Sequence, residues 1–152
     1  TTPAPYGKKI HGKMEYKKPM PMIIAQHKPR YVANASVGNV VDLYNKVKKG
    51  LELKGPAYVQ VLSPCVVGWK YNSSLTVEVG RKAIQTNICP LYEIEDGVLK
   101  VKENEKALKV DDYLKLQPRF KHLTKEEIMD IQEHVDREYK YLLSMNNKRV
   151  FA

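Results

Sequence analysis

The residue best placed for chemistry is Cys65, in VLSPCVVGW, where an apolar run stops at Ser63-Pro64-Cys65. A thiolate on such a turn can ligate a metal or act as a nucleophile. A neutral thiol can equally fill space, because free cysteine is among the most buried residue types. One cysteine does not choose between these, and on the residues alone the packing role carries more weight. The second cysteine, Cys89, is too far away in sequence to form a zinc-type pair with it. His11, His27, His122 and His134 are scattered without metal-ligand spacing.

What positions Cys65 is a strand. Ala57 to Leu62 is short, β-branched and aromatic, follows the Gly55-Pro56 turn, and reads as a buried strand that Pro64 terminates. Cys65 then lies just beyond a strand's carboxyl end, the edge at which open α/β sheets bind ligands. Upstream, Tyr31 to Ala35 reads as another strand. Ser36 or Asn39 can cap the helix that follows, and its apolar positions Val40, Leu43, Tyr44, Val47 and Leu51 predict the face turned to the core. Strand, helix and strand over Tyr31 to Leu62 predict a parallel βαβ unit.

Past the cysteine turn, Ser73 or Ser74 can cap a helix running to about Asn87, with Val79, Ala83 and Ile84 inward. Leu91 to Ile94 and Val98 to Val101 flank Glu95-Asp96-Gly97, a hairpin signal expected at the sheet edge. Asp111 opens a short helical turn closed by Pro118. Thr124 and Glu127 then form a capping box for a last helix with Ile128, Ile131, Val135, Leu142 and Met145 on one stripe. Met22 to Ala25 fits either a helical turn or a strand end. Residues 1–21, with Pro3, Pro5, Gly7, Gly12, Pro19 and Pro21, predict an irregular segment.

The 152 residues amount to one domain or a large part of one. No apolar run approaches the roughly 20 residues of a membrane span. There is no basic-then-apolar leader and no cysteine framework, so a reducing cytoplasm is the expected compartment. The net charge of +9 favours an acidic partner. A basic nucleic-acid-binding or assembly protein is therefore the rival class. It requires a lysine and arginine groove with aromatic platforms, whereas the lysines here are spread over loops and both long helices.

The stretches TTPAPYGKKIHGK, YVANAS, KGPAYVQVLSPCVVGW, PLYEIEDG and DDYLKLQPRFKHL, in that order, resemble the β subunit of the 2-oxoacid:ferredoxin oxidoreductases. The family's diphosphate and Mg²⁺ signature, a GDG followed by an Asn, does not occur. The likeness is accordingly to the C-terminal half of that subunit, with something expected to precede Thr1.

The resemblance implies an α/β fold that is part of a thiamine pyrophosphate-binding domain: a mostly parallel sheet flanked by helices, a C-terminal hairpin and a helical extension. Residues 1–102 would form the sheet portion and 103–152 the extension, packed on it or on another subunit. It implies oxidative decarboxylation of a 2-oxoacid, first of all pyruvate, to acyl-coenzyme A. The cofactors would be thiamine pyrophosphate, Mg²⁺ and a 4Fe-4S cluster with Cys65 as one ligand. The remaining cluster cysteines and most of the thiamine site would lie in the other half. Partners would be that half, the α subunit, γ/δ-type subunits, ferredoxin and coenzyme A, with neither nucleic acid nor membrane among them.

On this reading the chain alone is not catalytic. Cys89, where the family carries an apolar or aromatic residue, is a core thiol. Gly68 and Trp69 either shape the Cys65 turn and shield the cluster or simply pack. His11 lies in the loop that follows the cofactor loop, where subunit contact fits better than a substrate-side role. Arg119 and His122 anchor the C-terminal segment.

Overall fold

Every layer of the molecule meets at one strand, β1 (Tyr31–Ser36), all six of whose residues are buried. In the computed structural model, which describes residues 16–151, β1 pairs in parallel with β2 (Ala57–Leu62), Tyr31 opposite Ala57 through Ser36 opposite Leu62. On its other side it pairs antiparallel with β3 (Tyr92–Glu95), which turns back through Asp96-Gly97 into β4 (Val98–Val101). The order is β2-β1-β3-β4. The parallel βαβ unit and the edge hairpin are as the sequence predicts, and the sheet is α/β. It is mixed, however, and not mostly parallel: one pairing is parallel and two are antiparallel.

The reason lies in helix α4 (Thr76–Gln85). Gly38, just after β1, lies so close to Gly80 of α4 that a Cβ on Gly38 would sit 2.2 Å from the Gly80 carbonyl carbon. The Ser36 hydroxyl joins the contact, accepting from the Gly38 N–H at 3.1 Å and donating to the Gly80 carbonyl at 3.4 Å. This holds α4 at the carboxyl end of β1, so the chain leaving it enters β3 from that end, with Tyr92 opposite Asn34. A strand entering there can only run antiparallel. The Asp96-Gly97 turn, with φ of 49° and 81°, repeats the reversal into β4.

Helix α2 (Val40–Glu52) forms where expected, with the Asn39 side chain accepting from the Asp42 N–H at 3.1 Å. Of its predicted core face Leu43 alone is partly buried. Val40, Tyr44, Val47 and Leu51 are exposed, at 67, 64, 40 and 82%. The side turned to the sheet carries Lys46, Lys49 and Gly50. The physical reason is on the sheet: beneath α2 it presents Ala33 together with the carboxylates Glu93 and Glu95. Lys49 bridges both carboxylates at 2.8 Å, and buried Lys46 reaches Asp42 and the Asn34 carbonyl, each at 2.8 Å. Glu93 and Glu95 stand beside Tyr31 on this face, and the partly buried carboxylates take Lys49 as their partner, so the lysine side of α2 and not its valine stripe turns to the sheet. Strand β2, read as buried, is likewise an edge strand among the described residues, partly open to solvent, with Val61 39% exposed.

The opposite face is apolar. There α1 (Met20–Ala25), a helix where the sequence leaves helix and strand open, packs Ala25 with Val32, Ile94, Leu99 and Leu142. A second core gathers α4, α3 (Val66–Trp69), α5 (Asp111–Leu114) and the first half of α6 (Lys125–Ser144) around Val79, Ala83, Cys89, Val110 and Phe120. Helix α6 has the predicted capping box, Thr124 and Glu127 exchanging hydrogen bonds of 3.2 and 2.8 Å, and its stripe contributes to both cores. Beyond it the chain folds back along β4, with hydrogen bonds from the Leu99 N–H to the Lys148 carbonyl and from the Val150 N–H to the Gly97 carbonyl.

Gly38→Ala should destabilise the fold by about 2 kcal/mol or more, because the new methyl meets rigid backbone and α4 must retreat. A lowered denaturant midpoint with unchanged m-value is the expected result, and an unchanged midpoint would show that the glycine contact does not hold α4.

Candidate functional site

The Cys65 turn is built from three sides. Strand β2 ends at Leu62, whose carbonyl accepts from the Val37 N–H at 3.2 Å, which ties the end of β2 to the end of β1. Pro64 is buried, and Cys65 then opens the single helical turn α3. The Cys65 thiol is exposed, and its Sγ accepts a hydrogen bond from the Gly68 N–H at 3.3 Å. Gly68 itself is tightly placed, since a Cβ there would lie 3.1 Å from that sulfur. A backbone N–H on the sulfur is the kind of donor that surrounds the cysteine ligands of iron–sulfur clusters.

Beneath the turn lies a platform that the sequence does not announce. The Trp69 ring covers the Arg119 guanidinium, whose central carbon is 4.2 Å from the ring centroid, and the Phe120 ring lies 4.4 Å from the same group. Arg119 is only 8% exposed. It donates through Nε and Nη2 to the Gln117 Oε1 at 3.0 and 2.7 Å, and buried Gln117 donates in turn to the Tyr113 carbonyl at 3.1 Å. Burial pulls the guanidinium below its ordinary range, while Tyr113 and Cys65 act in the opposite direction. Arg119 therefore anchors its segment, and it does so directly under the tryptophan that follows Cys65. The only sequence trace of this platform is the run Gln117-Pro118-Arg119-Phe120, in which a proline-stiffened turn puts a cation beside an aromatic ring.

The other named residues stand apart. Cys89 is buried 3.7 Å from the Asn34 Nδ2 and 3.8 Å from the Ala35 carbonyl, and burial pushes its thiol up to about 11. It is a core thiol. His27 lies exposed in the turn after α1, and His122 is partly buried before α6. His134 stacks on Tyr16, ring centroids 3.5 Å apart, and burial lowers its pKa. His11 lies outside the described residues. Among the described residues no group of three or more His, Cys, Asp or Glu could hold a metal ion. Cys65 is an exposed thiol with one backbone N–H on its sulfur and belongs to no such group.

In the groove between α2 and the hairpin Lys46 pairs with Asp42 and Lys49 with Glu93, while Lys100 and Lys102 stand on its wall outside these pairs. Burial would raise Glu93, but the hydrogen bonds from Lys49 and Tyr31 outweigh it and leave its carboxyl below the usual range. These charges hold α2 to the sheet. No helix among the described residues is long and apolar enough to cross a membrane.

No protein-family model matches the chain. Individual proteins do. Pyruvate synthase subunit PorB of Methanocaldococcus jannaschii is 46% identical over 143 residues, 93% of this chain and 48% of the relative. The subunit of the same name from Thermotoga maritima is 41% identical over 151 residues, 95% of this chain and 47% of that protein. The NADH-dependent phenylglyoxylate dehydrogenase subunit beta of Aromatoleum evansii is 39% identical over 149 residues, 95% of this chain and 33% of that protein. The chain spans about half the length of these pyruvate synthase subunits.

The two thiols should separate cleanly. Iodoacetamide should alkylate Cys65 in the folded protein and reach Cys89 only on unfolding, as read by peptide mass. Burial raises the Cys89 thiol to about 11 in the fold from its ordinary 9.0, so its neutral form stabilises the fold below pH 9 and that contribution fades as pH rises towards 11. The loss should be on the order of 2 kcal/mol between pH 8 and pH 11, and Cys89→Ala should abolish that part of the pH dependence of the denaturant midpoint.

Proposed function

We infer that this chain, related over nearly its whole length to the β subunits of 2-oxoacid oxidoreductases, is the C-terminal portion of such a subunit and works in the oxidative decarboxylation of a 2-oxoacid. The observation that carries this reading is the identity of 46% with a pyruvate synthase subunit across 93% of the chain. Pyruvate is the first candidate substrate, since two of the relatives described above are named for it. The reaction would join the acyl group to coenzyme A, release carbon dioxide and hand two electrons, one at a time, to ferredoxin. In this reading residues 1–102 belong to the thiamine pyrophosphate-binding domain and residues 103–152 form its helical extension.

When bound, thiamine pyrophosphate with its Mg²⁺ supplies the carbon nucleophile for decarboxylation and a 4Fe-4S cluster supplies the one-electron acceptor. Cys65 would ligate that cluster through its exposed Sγ. The Gly68 N–H, 3.3 Å from the sulfur, would draw charge from the thiolate and so favour the reduced cluster. Trp69 would screen the turn from water, held in place by Arg119 beneath it. The remaining ligands and most of the thiamine site would come from the rest of the β-type polypeptide, with the α subunit and γ/δ-type subunits completing the complex. The basic balance of the chain, +9, suits an acidic electron acceptor such as ferredoxin. The cytoplasm is the compartment this chemistry calls for.

In the intact enzyme, Cys65→Ser is expected to retain thiamine pyrophosphate while losing the electron paramagnetic resonance signal of one 4Fe-4S cluster and ferredoxin reduction with it. Full cluster content in that variant would overturn the assignment.

A further inference from the structure

At the end of the sheet away from Cys65, where β1 and β2 begin and β3 turns into β4, four segments distant in sequence enclose a hollow of about 450 Å³. Lys28 and Arg30 come from the turn after α1, Lys54 from the turn after α2, Asp96 from the hairpin, and Arg149 and Phe151 from the tail along β4. The first two turns are in close contact, since a Cβ on Gly55 would lie 3.1 Å from that of Arg30. Asp96 is the one carboxylate lining the hollow among the described residues, and it already has partners. Its Oδ1 lies 3.1 Å from the Arg30 Nη1, and its carbonyl accepts from the Arg149 Nη1 at 3.2 Å, so both guanidinium groups are held by the same residue. Lys28 and Lys54 are exposed, and neither has an ion-pair partner among the described residues.

Cations at this end of the sheet have an ordinary role, because α1 and α2 both finish here and a helix C-terminus carries about half a negative charge. That role is too small for four of them. The two helix ends and Asp96 together offset about two positive charges, which leaves about two unmatched. We propose that the hollow binds the phosphate group of a small molecule, with Lys28 and Lys54 as its charge partners and the guanidinium groups held by Asp96 as further donors. A phosphate monoester carries roughly −1.5 to −2 at neutral pH and so matches the excess, whereas a single carboxylate supplies only half of it. Lysine meets phosphate as a point charge and arginine adds planar N–H donors, so the two residue types here are complementary. Phe151, its ring against Gly97, lines the same hollow and offers an apolar wall to the carrier of the phosphate. The volume is in the range of small-molecule sites. The site stands apart from the Cys65 turn, at the other end of the same strands, and does not depend on the functional reading above.

The test is lysine acetylation of the native assembly that contains this chain, read by peptide mass at constant ionic strength, with inorganic phosphate and ADP as separate probes. A probe at ten times its dissociation constant leaves roughly a tenth of the sites open, so acetylation of Lys28 and Lys54 should slow about tenfold. Lys100 and Lys102, exposed on the groove beside α2, should keep their rates. Protection by inorganic phosphate supports a site for the group itself, and protection by ADP alone supports a site that also takes the carrier. No protection by either probe would overturn the proposal, as would equal slowing at all four lysines, which is the mark of general screening. Lys28 and Lys54 already unreactive before any probe is added would overturn it too, since another chain would then cover the hollow. The double variant Lys28→Gln, Lys54→Gln removes two exposed side chains outside the ion pairs and should fold as the parent does. Its affinity for the protecting probe, by calorimetry on the same assembly, should fall about tenfold or more, as expected for two lost charge-assisted contacts, and an unchanged affinity would count against the site.

Discussion

The contact between Gly38 and Gly80 sets the geometry of most of what surrounds it. Two backbones approach so closely that neither position tolerates a side chain, and a serine hydroxyl stitches them together. Because this pins α4 across the end of β1, the chain re-enters the sheet from that end and the hairpin must run against β1. The same anchoring puts Val79 and Ala83 of α4 into the core shared with Val66 and Trp69 of the cysteine turn and with Phe120. The exposed sulfur is thus held by a chain of contacts that starts at two glycines.

The second organising choice is electrostatic. A helix with an apolar stripe ordinarily buries it, and Val40, Tyr44, Val47 and Leu51 form such a stripe. Here the ion pairs of Lys46 and Lys49 turn it outward. Buried Lys46 loses its hydration and takes Asp42 and the Asn34 carbonyl in return, while half-buried Lys49 bridges Glu93 and Glu95. Reading hydrophobic periodicity alone misses this because the deciding carboxylates sit more than forty residues downstream, on a strand that contacts α2 only after folding.

Local signals were legible where chemistry is local. The capping box at Thr124, the Asn39 cap, the Asp96-Gly97 turn and the parallel pairing of Tyr31–Ser36 with Ala57–Leu62 all depend on residues close in sequence or on one short crossover. The turn bearing Cys65 was legible too, since Pro64 has no N–H to carry a ladder onward and holds Ser63 extended. What surrounds that turn was not. The stacking of Trp69 on Arg119 joins residues fifty positions apart, and neither side of that pair carries a motif that names the other.

The two long edges of the sheet are treated differently, and this bears on how the protein can misassemble. Backbone bonds from the segment near Lys148 and the ring of Phe151 against Gly97 occupy the outer side of β4. The outer side of β2 has no such cover among the described residues. A ladder with a single free rung cannot add copies at both ends, so strand pairing between stray copies has to close on itself around a two-fold axis. Crowding would therefore trap this polypeptide in closed pairs and would not draw it out into fibres.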